Sequence, residues 1–86
     1  MIMHDVEREP VLALHGRLAG PEVAEFERIA ADAPLPLRID LENLIGVNAS
    51  GLVALRAQRD RGAHLTKASP YVRLLLETAG VLPADL

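Results

Sequence analysis

The sequence predicts an α/β fold: a four-stranded mixed sheet with about three helices packed on one face. Apolar and charged residues alternate from Leu37 to Leu41, which is typical of a strand. Apolar residues recur at helical spacing after Pro21 and after Ser69. Because helices follow strands along the chain, crossover connections and some parallel pairing are expected. The predicted order is ββαβαβα, in a single domain covering residues 1–86.

Composition narrows the classes of function. Hydrophobic residues make up 50% of the chain, enough for a modest core. Cysteine is absent, which excludes disulfides and thiolate chemistry. The net charge is −3 and only Phe26 and Tyr71 are aromatic, so nucleic acid is not an expected partner. No apolar run is long enough to span a bilayer and no signal-peptide pattern is visible, so we expect a cytoplasmic protein without membrane insertion.

The first half of the chain is predicted to hold two strands, a helix and a third strand. Residues 5–8 and 11–15 are the two strands of a hairpin, with a turn at Glu9-Pro10 because proline favours turns. The first helix begins at Pro21, since proline suits the first helical position. Pro34 ends that helix, and the strand from Leu37 follows.

The second half is predicted to alternate helix, strand and helix. The second helix runs from about Ser50 to Arg61, and Gly62 closes it in a left-handed conformation. Residues 63–66 form a short fourth strand, and Ser69-Pro70 begins the third helix. Residues 81–86 are predicted to be a frayed tail.

The predicted core lies between the sheet and the helices. The second face of the sheet is expected to be partly open, which leaves Leu12 or Leu14 exposed or buried against a partner. The predicted core residues are Val23, Phe26, Ile39, Leu52, Leu55, Val72, Leu75 and Leu76.

A polar segment after the third strand is the candidate functional site. Asn48, Ala49 and Ser50 separate an apolar run that ends at Val47 from an apolar helical face that begins at Leu52. Asparagine and serine are favoured N-cap residues, because their side-chain oxygens accept from free backbone N–H groups of the first turn. Asn48 is the expected N-cap of the second helix, and Ser50 is the other candidate. Ends of strands next to covering helices are common positions for binding sites.

An ordered set of motifs resembles the STAS domain, the fold of bacterial anti-sigma factor antagonists. In that family a strand runs into Asp-Ser/Thr-Ser/Thr-Gly-Leu at a helix start, and residues 48–52, Asn-Ala-Ser-Gly-Leu, stand in that place. Residues 16–18 (Gly-Arg-Leu), 40–44 (Asp-Leu-Glu-Asn-Leu) and 69–80 match in order. The chain departs from the pattern at Asn48, which replaces the aspartate, and at Ala49, which replaces a hydroxyl residue. Its second helix is also about one turn short.

The resemblance implies a non-enzymatic, protein-binding module of transcription regulation, with an anti-sigma factor or kinase as partner. It implies phosphorylation at Ser50, and the residues alone leave open whether that hydroxyl is a phospho-acceptor or only a helix cap. The alternative is a STAS accessory subunit of a lipid-transport ABC system, docked on the ATPase. The sequence does not name the partner, the upstream signal or the oligomeric state, and a homodimer stays open. The candidate partner-binding residues are Asn48, Ala49, Ser50, Gly51, Arg56 and Arg59.

No residue pattern indicates catalysis, a metal or a cofactor. His4, His15 and His64 are not at metal-ligand spacing. Asp40 and Glu42 point the same way along a strand but are best interpreted as a solvated strand end, since general acid–base work needs a pocket. A hydrolase is disfavoured because no nucleophile–base pair is visible.

Overall fold

The computed structural model describes residues 1–82 and holds a four-stranded sheet with three helices. The sheet order is β1-β2-β3-β4, with β1 antiparallel to β2 and the other two pairs parallel. The predicted α/β class, element order and mixed sheet are therefore confirmed. The elements are β1 (Ile2–Val6), β2 (Glu9–Leu18), α1 (Pro21–Asp32), β3 (Arg38–Val47), α2 (Ala49–Asp60), β4 (His64–Thr66) and α3 (Pro70–Thr78).

The first hairpin turns two residues earlier than predicted. Glu7 and Arg8 form the turn, with φ of 53° and 73°, and Pro10 lies inside β2 opposite Asp5. A two-residue turn with both φ values positive has the twist that flanking strands require. The predicted turn at Glu9-Pro10 is wrong, because neither Glu7 nor Arg8 belongs to the residue types that usually signal positive φ.

The two central strands run further than the sequence pattern indicated. β2 does not end at His15 but continues through Gly16 to Leu18, beside β3, which reaches Val47. The β2–β3 register is irregular between Ala13 and His15 and again after Gly16, whose φ is 69°. Such irregularities break the simple alternation of side chains without ending the strand. As a result, two parallel strand ends lie side by side at Leu18 and Val47.

The core lies between one face of the sheet and all three helices. Phe26 of α1, Leu55 of α2 and Leu76 of α3 belong to the same buried cluster as Leu12 and Leu14 of β2. The expectation that Leu12 or Leu14 would be exposed is therefore wrong. Of the eight predicted core residues, Leu52 and Leu75 are only half-buried and the other six are buried. The prediction did not include the fully buried Leu18, Leu37, Leu41 and Leu44.

The segment after α3 packs back on the helices. Gly80 has a φ of 75°, and the Val81 N–H donates to the Leu76 carbonyl at 2.8 Å, which closes the helix. Val81 is buried, and the Arg59 guanidinium donates to the Gly80 carbonyl at 3.0 Å and to the Val81 carbonyl. The frayed tail predicted from residue 81 is therefore wrong for residues 81 and 82, and residues 83–86 lie outside the described part.

Candidate functional site: the Ser50 turn

The candidate site is the Ser50 turn, residues 48–51, at the carboxyl ends of β2 and β3. The register places Leu18 beside Val47, and the Asn48 N–H donates to the Leu18 carbonyl at 3.2 Å. The turn is therefore attached to the ends of both central strands. Carboxyl ends of parallel strands are frequent binding positions in α/β proteins.

Asn48 caps helix α2. Its Oδ1 atom accepts from the Gly51 N–H at 2.8 Å and from the Ser50 hydroxyl at 3.0 Å. Its backbone is extended, while Ala49 is the first helical residue. Ser50 is therefore the second residue of α2 and not its cap, so the cap interpretation of Ser50 is wrong. The exposed Ser50 hydroxyl remains available for modification or contact.

Gly51 lets the helix begin directly against the strand ends. A Cβ atom on Gly51 would lie 2.6 Å from the Leu18 carbonyl oxygen and 2.7 Å from Cγ1 of Val47. Both distances are shorter than any ordinary contact, so a side chain here would push α2 away from the sheet. The close approach fixes the position of Ser50 relative to β2 and β3.

Two N–H groups of the first helical turn lack a partner among the described residues. The Gly51 N–H is taken by Asn48 Oδ1, and the Leu52 N–H donates to the Asn48 carbonyl at 3.0 Å. The N–H groups of Ala49 and Ser50 precede the first intrahelical bonds. A negative group on Ser50 would therefore lie at the positive end of the helix, beside these two donors.

An open cleft of about 310 Å³ lies on one side of the turn. We call it the Arg17 cleft. Tyr71 and Ile45 contribute apolar surface to it, and Arg17 contributes a cationic group. Its lining residues are Arg17, Ala19, Ile45, Gly46, Val47, Asn48 and Tyr71.

A second open cleft, of about 230 Å³, lies between α2 and the end of α3. We call it the Val53 cleft. Arg56 is its only charged lining residue among those described, and no acidic side chain lines either cleft in residues 1–82. Both sides of the turn therefore combine apolar surface with one arginine. The lining residues are Ala49, Leu52, Val53, Arg56, Ala79 and Val81.

Large apolar side chains are exposed around the Ser50 turn. Val53 is 68% exposed, Ile45 64% and Tyr71 60%, and all three line the clefts. Residues 1–82 expose eight large hydrophobic side chains in all, so three of the eight are concentrated here. Single exposed apolar residues need no explanation, but several of them in clefts that flank one polar turn are typical of an interaction site.

The structure brings most of the predicted partner-binding residues together. Asn48, Ala49 and Arg56 line the two clefts, and Ser50 lies exposed between them. Gly51 is buried, so it shapes the turn and does not contact a partner through a side chain.

Arg59, one of the candidate partner-binding residues, is already engaged by contacts within the chain. Its guanidinium binds the carbonyls at residues 80 and 81 and pairs with Asp60 at 2.7 Å. It is half-buried, so it holds the end of α3, and the prediction that it contacts a partner is dropped in favour of this structural role.

Sequence reasoning missed Arg17, Ile45 and Tyr71 as site residues. Tyr71 precedes Val72 and lies outside the core-facing apolar stripe of α3. An aromatic residue on the solvent side of a helix was the one sequence signal that could have indicated a binding role. Ile45 and Arg17 gave no signal, because only the pairing of β2 with β3 places them side by side.

The remaining ionisable candidates do not form a site. His4, His15 and His64 are exposed on three different strands, and in the described part of the chain no three His, Cys, Asp or Glu residues are grouped to hold a metal ion. The interpretation of Asp40 and Glu42 as a strand end is wrong, because β3 continues to Val47; Asp40 is half-buried inside it and accepts from the Glu42 N–H at 2.9 Å.

Comparison with known proteins gives no family for this chain. No family model matches it, and no curated protein matches it. Of the helices in residues 1–82, none combines the length and apolar character needed to cross a bilayer. The features that bear on function are therefore the Ser50 turn, its two clefts and the resemblance of the motifs.

Proposed function

We propose that this chain is a non-enzymatic regulatory module that binds a protein partner through the Ser50 turn. The observation that carries the proposal is that the exposed apolar side chains of Ile45, Val53 and Tyr71 line the two clefts beside the turn that holds the exposed Ser50 hydroxyl. Exposed apolar surface rimmed by polar groups is characteristic of protein–protein interfaces. The STAS-like motif order supports an anti-sigma factor or its kinase as the partner class.

The clefts indicate the chemistry of the partner surface. Each cleft offers apolar surface beside an arginine, Arg17 on one side and Arg56 on the other. A complementary partner presents apolar side chains flanked by carboxylates. Arginine near the edge of an apolar contact favours bidentate pairing with such carboxylates. The sequence-level alternative, docking on the ATPase of a lipid-transport ABC system, uses the same surface.

Ser50 is the proposed switch of this interface. Phosphorylation would remove the hydroxyl hydrogen that Ser50 donates to Asn48 and add close to two negative charges at the start of α2. The helix end tolerates this charge, because the Ala49 and Ser50 N–H groups are directed toward it. The added bulk stands between the two clefts, so the modification releases the partner while the domain stays folded.

The surface is tested by Val53→Asp, with Leu35→Asp as the matched control. Both side chains are exposed, 68% for Val53 and 47% for Leu35, but Leu35 precedes β3 at the opposite end of that strand. In a pull-down from the native host analysed by mass spectrometry, Val53→Asp should lose the partner that wild type and Leu35→Asp retain. Equal capture by all three proteins would refute the surface. The captured protein also decides between the kinase and the ATPase.

The switch is tested by Ser50→Asp and Ser50→Ala in the same assay. Ser50→Asp should weaken partner binding, although less than a phosphate, because a carboxylate carries less charge and fewer acceptors. Ser50→Ala should bind like unmodified wild type and take up no phosphate. Unchanged affinity of Ser50→Asp, together with no phosphate in the intact mass of native protein, would show that Ser50 is not a switch.

A further inference from the structure

Strand β1 is an exposed edge of the sheet. All five of its residues are exposed, and three of the eight exposed large hydrophobic side chains in residues 1–82 belong to it: Ile2, Met3 and Val6. The opposite edge, β4, has only three residues and is followed by Lys67 in a left-handed conformation. β1 carries no proline, lysine or bulge of the kind that usually protects an edge from pairing.

The hairpin determines which backbone groups of β1 are free. Val6 and Glu9 flank the two-residue turn and therefore exchange both hydrogen bonds. Because the pattern alternates, Ile2 and His4 also bond to β2. The N–H and C=O groups of Met3 and Asp5 then point away from the sheet. Pro10 lies opposite Asp5, in a pair that this alternation leaves without hydrogen bonds between the two strands. Proline has no N–H to donate, so its presence at this position agrees with the assignment.

We propose that a second copy of this chain pairs with β1, antiparallel and about a two-fold axis at His4. This register pairs the whole strand: Met3 bonds with Asp5 of the second copy, and Asp5 with Met3 of the second copy. The two sheets join into one of eight strands, with the helices of both copies on the same side. The inference is independent of the function proposed for the Ser50 turn.

Other registers fit less well. An axis at Asp5 would set two carboxylates directly opposite each other, which is destabilising in a sheet. An axis at Met3 would leave Val6 outside the pairing. A two-fold axis midway between two residues would set a residue whose N–H and C=O groups are free opposite one whose groups are already bonded to β2. The His4 axis sets no like-charged carboxylates opposite each other and covers residues 2–6 completely.

The same register covers the apolar side chains on the helix-free face. Ile2, 57% exposed, lies directly opposite Val6 of the second copy, and Val6, 40% exposed, opposite its Ile2. Ile2 and Val6 share this face with Val11 and Ala13, which lie outside the helix-side core cluster. Cross-strand pairs of branched apolar residues stabilise antiparallel sheets, so the two copies extend one apolar strip.

On the helix side, the second copy meets an open groove of about 520 Å³ beside β1. Met3, Ile29 and Ala33 contribute apolar surface to it, and its charged lining is balanced, with two arginines and two aspartates: Arg8, Arg28, Asp5 and Asp32. The His4 axis brings Asp5 of the second copy opposite Met3, at the edge of this groove of mixed charge. The contact is small, so a weak, concentration-dependent dimer is expected.

The experiment is sedimentation equilibrium of the full chain from about 10 μM to about 1 mM, the range in which weak association is resolved. The mass of wild type should rise from 9.3 kDa toward twice that value. His4→Lys sets two ammonium groups face to face at the axis and should raise the dissociation constant at least tenfold. His64→Lys, the same change at an exposed position on β4, is the control and should leave the mass curve unchanged.

Amide exchange in wild type gives a second readout that needs no variant. The N–H groups of Met3 and Asp5 should exchange fast in dilute protein and slowly at high concentration, while that of His4 is protected at both. A mass of 9.3 kDa throughout the range would overturn the proposal. A dimer with unchanged exchange at Met3 and Asp5, or one that folded His4→Lys retains, would overturn it too.

Discussion

Asn48 caps α2 with an uncharged amide oxygen, where an acidic residue would use a charged carboxylate. Its single Oδ1 atom accepts from the Gly51 N–H and from the Ser50 hydroxyl. An asparagine oxygen has two lone pairs, so both bonds are satisfied at once. The turn thus keeps its geometry with no negative charge beside Ser50. A phosphate on Ser50 would therefore meet no full negative charge on this neighbour, although it would lose the hydrogen bond to Asn48 Oδ1.

Because Asn48 caps α2 and Ser50 does not, replacing each with alanine should lower the free energy of unfolding by different amounts. Asn48→Ala should lower the free energy of unfolding by about 1 kcal/mol, the usual value of an N-cap. Ser50→Ala should change it by less than about 0.5 kcal/mol, because the exposed hydroxyl only adds a second donor to Asn48. Denaturant unfolding followed by circular dichroism measures both. Equal losses would mean that Ser50 shares the capping role.

Gly51 provides a second prediction at the residue scale. Gly51→Ala should lower the free energy of unfolding by about 1–3 kcal/mol, because its Cβ would overlap the Leu18 carbonyl oxygen. Gly46→Ala is the control: the atoms nearest its Cβ would belong to the Arg17 side chain, at an ordinary contact distance of 3.6 Å or more. That variant should stay within about 0.5 kcal/mol of wild type. A stable Gly51→Ala would contradict the close approach of α2 to β2.

At the scale of the elements, helix α3 is held by its apolar stripe and by its two ends. The Ser69 hydroxyl oxygen accepts from the Val72 N–H at 3.3 Å, as the sequence predicted. Val72 and Leu76 are buried, but Leu75 is only half-buried. Arg59 reaches across from α2 to the carbonyls after α3. The helix therefore docks over a narrower stripe than its sequence suggests.

Because this stripe is narrow, the neighbouring residues Leu75 and Leu76 differ in burial, and truncating them should have different costs. Leu76→Ala should lower the free energy of unfolding by about 2–5 kcal/mol, because a fully buried side chain leaves a cavity. Leu75→Ala should cost about 1 kcal/mol, since its side chain already meets solvent. Thermal melts with a denaturant series give both values. A larger loss at Leu75 would mean that α3 is rotated relative to the orientation described.

At the scale of the whole molecule, apolar burial and not ion pairing holds the fold. The buried cluster joins all three helices to one face of the sheet. The four ion pairs among residues 1–82 involve exposed or partly exposed side chains; for Arg38 and Glu9 the exposures are 42% and 48%. Water and ions screen such pairs, so each contributes little.

Stability should therefore depend weakly on salt. Raising sodium chloride from about 0.05 M to about 1 M should change the free energy of unfolding by less than about 1 kcal/mol. A double-mutant cycle on Arg38 and Glu9 should give a coupling below about 1 kcal/mol. Urea titrations at the two salt concentrations test the first statement. A strong loss of stability in salt would point to an ion-pair network that the exposed pairs do not explain.

The part of the candidate site that consists of residues adjacent in sequence was predictable. The segment from Asn48 to Gly51 stands out because polar residues interrupt two apolar runs. Both residue types cap helices; the sequence favoured Asn48 as the N-cap, and the start of α2 at Ala49 confirms it. Arg17 and Ile45 could not be found, because strand pairing alone brings them to the same cleft.

The sequence by itself determined the α/β class, the order of the elements and the starts of α1 and α3. Those features depend on hydrophobic periodicity, proline positions and capping residues, which act over a few neighbouring positions. The tertiary structure alone decided that Leu12 and Leu14 face the helices, that β2 continues past Gly16, and that Val81 is buried. Each of these depends on contacts between residues distant in sequence, where the free energy of burial and pairing outweighs local preference.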